Sequence, residues 1–196
     1  MSNKISVPTK NRSDRKQLEN AEPSTVRWIV ETFIMVVLAI AIAQGIKTYL
    51  IQPYLVPSGS MLPTIQLKDR VLANKLVFRG FAEPKYKDIV VFDDPTGEFP
   101  TLIKRVIAVG GQTVDLKNGA VYVDGKKLDE PYTYGKPSYP QAISMPITIP
   151  KGYIWVMGDN RTNSGDSRTF GPVKLSTVRG RGFWTYWPLG HFKALK

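Results

Sequence analysis

The chain has 196 residues and a formal net charge of +11, with 27 Lys and Arg against 16 Asp and Glu. That length holds a short tail, one membrane helix and one domain of about 150 residues with its own core, and leaves no room for a second catalytic domain. No cysteine and a single histidine remove the usual ligands of zinc, iron–sulfur and haem sites and any disulfide, so no metal, cofactor or cysteine chemistry is expected.

A net positive charge calls for a negatively charged partner. The lysines and arginines are scattered and no nucleic-acid module is visible, so no nucleic acid is expected, and a basic face toward anionic lipid is the better fit. Residues 1–27 read as a disordered tail with six cations, Lys4, Lys10, Arg12, Arg15, Lys16 and Arg27, against Asp14, Glu19 and Glu22. From 28 to 46 the chain is apolar except for Glu31, Thr32 and Gln44. At ~1.5 Å per residue such a run crosses roughly one bilayer core. We assign 28–49 as a transmembrane helix, with Lys47 and Tyr49 at the far interface. The run exceeds a usual signal-peptide core and no small-x-small site follows it, which favours a retained anchor. The basic tail keeps the N-terminus cytoplasmic and puts residues 50–196 outside the plasma membrane.

After residue 56 the pattern turns to short segments rich in β-branched and aromatic residues: 71–78, 89–92, 102–109, 113–116, 120–123, 153–157 and 178–184. Asn118-Gly119 and Asp124-Gly125 predict tight hairpins. Five prolines from Pro131 to Pro150 predict an irregular, extended insertion around 130–150. Trp184, Tyr186 and Trp187 read as core or interface residues, with core packing the better fit.

One stretch sets two hydroxyls in a stiff, bare backbone: Pro57-Ser58-Gly59-Ser60-Met61-Leu62-Pro63-Thr64. Gly59 would admit a close backbone and the prolines would limit the flanks, although an ordinary linking loop has the same composition. A serine nucleophile needs a base, and the one histidine, His191, reads as a surface residue of the C-terminal tail. The alternative is a lysine kept neutral by apolar burial. Lys104 and Arg105 lie on opposite faces of an otherwise apolar strand, and periodicity does not choose between them. Arginine does not release its proton, which leaves Lys104 as the candidate base unless its head simply reaches water. The polar run 158–168 carries more hydrogen-bonding groups than a turn requires and could hold a neighbouring base.

In order and approximate spacing, segments 57–64, 102–114 and 158–173 resemble the motifs of bacterial type I signal peptidases. The resemblance covers nearly the whole chain after residue 25. It implies a mostly β catalytic domain of coiled antiparallel sheets behind one N-terminal transmembrane helix, and a serine endopeptidase that removes signal peptides from exported preproteins. It implies Ser60 as nucleophile, Lys104 as general base, and the Ser58 hydroxyl and Ser60 N–H as an oxyanion hole. It gives Ser164 the orienting of Lys104, Asp166 and Arg168 a supporting ion pair, and Met61 and Ile103 the substrate pockets. Preproteins with small residues before the cut, and the lipid bilayer, are the implied partners. Two departures, Gly110-Gly111-Gln112 after the lysine strand and Thr162 after Asn160-Arg161, affect the expected turn geometry and ion network. A soluble self-cleaving repressor-type Ser-Lys protease and a non-catalytic, membrane-tethered β domain are the rival readings.

Overall fold

The computed structural model describes residues 25–78 and 82–195. The chain separates into two compact units, residues 1–44 and 45–196. In the first, helix α1 (Thr25–Gly45) is 21 residues long with a mean hydropathy of 2.2 over its most apolar window and no buried residue. At ~1.5 Å per residue it is about 30 Å long, the depth of a bilayer's hydrocarbon core. It begins three residues before the predicted run, with Arg27 Nε donating to Glu31 at 2.8 Å, one helical turn on. The basic tail lies, up to residue 24, outside the described residues.

The second unit starts with a π turn, Ile46–Leu50, and then alternates strands with loops. Its larger sheet contains β1 (Ile51–Leu55), β2 (Arg70–Asn74), β3 (Ile89–Phe92) and β4 (Leu102–Val109). The smaller sheet is built from β5 (Thr113–Lys117), β6 (Ala120–Val123), β7 (Lys126–Lys127) and β8 (Ile147–Thr148). The chain then returns to the larger sheet as β9 (Tyr153–Met157), β10 (Val173–Lys174), β11 (Val178–Trp187) and β12 (Lys193–Ala194). The larger sheet runs β1-β2-β11-β3-β4-β9-β10 with β12 on β11, and the smaller runs β7-β6-β5-β8. Every pairing is antiparallel. All four residues of β3 are buried, as befits a β-branched strand inside a sheet covered on both faces.

Both predicted hairpins form. Asn118 and Gly119 have φ of 52° and 75°, and Asp124 and Gly125 have 50° and 77°, the left-handed pairs that a two-residue turn matched to strand twist requires. After β4, a Cβ on Gly110 would sit 2.9 Å from both Lys151 Cα and Pro150 O, so only glycine fits there. The Gln112 side chain accepts from Val109 N at 3.0 Å and donates to Asp124 at 3.1 Å, closing that turn with an amide at position 112. The insertion contains one 3-10 turn, Pro131–Thr133, and otherwise runs irregularly to β8.

Strand β11 corrects one expectation. Its pairing with β2 slips between Gly182 and Trp184 and again between Thr185 and Trp187. Each slip is a bulge that re-aims the side chains after it. Thr185 is therefore fully buried while Trp187 is 49% exposed, and Trp184 and Tyr186 are half-buried. The fully buried tryptophan is instead Trp155, which packs with Ile107, Val114 and Val121 in the core cluster between the two sheets.

Candidate active site

The loop between β1 and β2 is closed at its neck by two backbone bonds, Val56 N to Asp69 O at 2.9 Å and Lys68 N to Val56 O at 2.8 Å. Met61 and Ile65 drive its apolar side into the core, both fully buried with Val56, Val71 and Ile103. Burying such side chains is worth about 1.5–3 kcal/mol each, so the loop is held as firmly as a strand. A Cβ on Gly59 would come within 2.9 Å of the tip of the Leu62 side chain, a contact that the leucine can relieve by shifting. Ser58 and Ser60 stand on this plug. Their hydroxyl oxygens are 3.3 Å apart and Ser60 is 7% exposed.

Lys104 lies on β4 opposite Val90 of β3. Its Nζ donates to Ser60 Oγ at 2.6 Å, and the residue is only 2% exposed. Burial pushes its pKa down to about 8, because removing the ammonium from water outweighs the attraction of Asp166 and Asp94. Arg105 points to a different partner, in bidentate contact with Asp159: Nε to Oδ1 at 2.8 Å and Nη2 to Oδ2 at 2.7 Å. His191 gives its Nδ1 to buried Asp69 at 2.7 Å. The lone histidine is thus committed elsewhere, and the lysine meets the serine.

The polar run after β9 forms the back wall. Arg168 and Asp166 make a buried bidentate pair, Nε to Oδ1 at 2.9 Å and Nη2 to Oδ2 at 2.8 Å. Asp166 also accepts from Gly158 N at 3.0 Å and caps the one-turn helix Ser167–Phe170. Every carboxylate lone pair that burial would otherwise strand is thereby satisfied. Ser164 is 8% exposed, and its Oγ has no hydrogen-bond partner among the described residues. It stands with Ser60 and Lys104 around one cleft without bonding either. A Cβ on Gly158 would fall 2.3 Å from Ser164 Oγ and 2.4 Å from Ser60 O, so glycine is what lets this wall touch the serine loop.

The cleft has a volume of about 360 Å³ and is walled by Ser58, Ser60, Lys104, Ser164, Asp94 and Phe170. A smaller, apolar recess of about 50 Å³ adjoins it, lined by Tyr54, Val56, Val91 and Ile103, with Ser58, Phe99, Leu102 and Lys104 shared by both. Ile103 thus reaches a pocket. Met61, expected beside it, lines neither of these clefts, because its side chain is spent on plugging the loop into the core.

Sequence reasoning missed four supports. Asp159 binds Arg105 and accepts from Thr64 Oγ1 at 2.5 Å, tying the serine loop to β4. Asn160 holds two carbonyls of that loop. Glu130, from the proline-rich insertion, forms a bidentate pair with Arg161 at 2.8 and 2.6 Å, and Arg161 also donates to Ser138 at 2.7 Å. Tyr132 lies under the Arg105 guanidinium, 4.1 Å from ring centre to Cζ. The signal available was the density of charges and amides in 158–168; their partners lie tens of residues away. Thr162 is exposed, and the ion pairs close without an acid there.

Residues 26–187 match the family described as signal peptidase, peptidase S26. The chain belongs to this family of serine endopeptidases. It is 34% identical over 183 residues to a probable signal peptidase I-1 of Synechocystis sp., covering 88% of this chain and 90% of that one. A probable signal peptidase I-2 of the same organism is 36% identical over 184 residues, covering 91% and 81%. Signal peptidase I of Bacillus amyloliquefaciens is 33% identical over 169 residues, covering 82% and 86%.

Proposed function

We propose that this chain is anchored in the plasma membrane by α1 with its N-terminus cytoplasmic, and removes signal peptides from exported preproteins through Ser60 and Lys104. The 2.6 Å contact between Ser60 Oγ and a buried lysine carries the reading. In the neutral amine the hydrogen bond reverses and the Ser60 O–H donates. Lys104 takes that proton as Oγ bonds to the scissile carbonyl carbon, and the carbonyl electron pair moves to oxygen. The Ser60 N–H and the Ser58 hydroxyl meet the charge formed there. Among the described residues that N–H has no acceptor, which leaves it available. Collapse breaks the C–N bond, and the Lys104 ammonium gives its proton to the leaving amine. Lys104 then deprotonates a water that attacks the acyl ester, and the proton returns to Ser60.

Asp166 and Arg168 hold the Gly158–Ser164 wall against the site, and Ser164 orients the lysine head during the reaction. An extended substrate would lay its backbone along the cleft and drop a small side chain into the recess beside Ile103. The test is incubation of detergent-solubilised protein with a model preprotein and mapping of the cut by mass spectrometry, with Ser60→Ala and Lys104→Arg as inactive controls. Cleavage after a small residue is expected. Uncleaved preprotein with the wild type, or full activity in either control, would overturn the reading. Orientation is tested by adding protease to intact spheroplasts, which should remove the β domain without lysis.

A further inference from the structure

Asn160 is 5% exposed and bonds the serine loop twice. Its side-chain Nδ2 donates to Gly59 O at 2.9 Å and its backbone N donates to Ser60 O at 3.0 Å. These two carbonyls belong to the peptide units on either side of Ser60. In a trans, planar peptide the carbonyl oxygen and the following N–H point in opposite directions. Drawing the Gly59 oxygen toward Asn160 therefore aims the Ser60 N–H away from it. The same peptide unit that Asn160 grips is the one that carries the oxyanion donor.

The grip needs the Asn160 amide to present its NH₂ and not its oxygen to Gly59. An amide carries both, and a half-turn of the side chain would replace attraction with oxygen–oxygen repulsion. Lys136 fixes the choice. Its Nζ, which can only donate, bonds Asn160 Oδ1 at 2.6 Å and so leaves Nδ2 for Gly59. Lys136 belongs to the proline-rich insertion, which Glu130 and Ser138 lock to buried Arg161, whose Nε donates to Gly158 O at 3.1 Å.

We propose that Asn160 and Lys136 are positioning residues for the oxyanion hole, through which the insertion aligns the Ser60 N–H. This rests on the Ser60 reading above. Because the grip acts on the donor that meets transition-state charge, its loss lowers turnover and leaves ground-state binding in place. Removing an oxyanion donor outright costs about 10²- to 10³-fold in rate, so misaligning one gives roughly 10- to 100-fold for Asn160→Ala. Lys136→Met, which keeps the stem and leaves Asn160 free to rotate, gives a few-fold to about tenfold loss on the same ground. Lys136→Arg keeps a donor and restores most of the rate.

The experiment uses the full chain in detergent and reads kcat, KM, the pH–rate midpoint, and the affinities of a peptide aldehyde and the matching peptide alcohol. Ser60 adds to the aldehyde to give an oxygen in the hole, whereas the alcohol has no such oxygen. Asn160→Ala and Lys136→Met should weaken the aldehyde by the same factor as kcat, with alcohol binding, KM and the pH midpoint unmoved. A wild-type kcat in Asn160→Ala overturns the proposal. So does a loss shared equally by aldehyde and alcohol, a shifted pH midpoint, or a Lys136→Arg variant no better than Lys136→Met. Ser60→Ala run alongside separates the two levels: cleavage by that variant would remove the Ser60 reading itself.

Discussion

Replacing Lys104 with methionine should abolish turnover and make the protein more stable at neutral pH. The lysine's pKa is about 8 in the fold against an ordinary 10.5, so the folded state pays to keep the ammonium protonated below pH 8. At ~1.36 kcal/mol per unit, that penalty is about 3 kcal/mol at pH 7. The unfolded chain holds the proton more tightly, so wild-type stability rises with pH between about 8 and 10.5, and the penalty shrinks to roughly 1.4 kcal/mol at pH 9.5. Methionine is of similar length and carries no charge. It forfeits the hydrogen bond to Ser60, worth about 1 kcal/mol, which leaves a net gain of about 2 kcal/mol at pH 7. For a domain of this size that is a rise of about 4–8 °C in Tm. Thermal melts of both proteins in one detergent at pH 7, 8.5 and 9.5 would show the difference narrowing as pH rises. A variant that melts at or below the wild type at pH 7, with a pH-independent difference, would mean that Lys104 is a stabilising structural cation, and the neutral-base argument would fail.

Substitutions at three further positions probe the rest of the site. Ser58→Ala should lower kcat by ~10²- to 10³-fold with KM little changed, and Ser58→Thr should be milder, as steady-state kinetics would show. Asp166→Asn removes one partner of a fully buried ion pair and leaves Arg168 uncompensated, so urea unfolding should show a loss of about 3–5 kcal/mol. Gly158→Ala forces a methyl to within 2.4 Å of Ser60 O; turnover should fall at least about tenfold, while α1 and the bulk β signal in circular dichroism persist.

Much of this protein is legible in one dimension because the information is local. Runs rich in β-branched and aromatic residues place β3, β4, β6 and β9 to the residue. Left-handed Asn-Gly and Asp-Gly pairs fix the turns, and an apolar run with no polar face marks the helix. The two-residue strands β7, β8, β10 and β12 escape such reading, since two residues carry no pattern, and β1 escapes it because Pro53 interrupts the run. The seven strands they join define the sheets only through pairing.

The site divides the same way. Residue chemistry picks out the stiff loop that carries Ser58 and Ser60 and prefers Lys104 to Arg105, because only lysine can become a neutral base, while the choice of Ser60 over Ser58 comes from the family resemblance. What the sequence does not contain is distance. Lys104 is an unusual residue only because β4 lies deep in the sheet and the serine loop folds over it, taking the ammonium out of water. The ties that complete the arrangement, Arg105 to Asp159, Glu130 to Arg161 and Lys136 to Asn160, join residues 54, 31 and 24 positions apart. Burial and long-range pairing are properties of the packed chain, so the lowered pKa of Lys104 and the direction of the Ser60 N–H were decided by the tertiary structure alone.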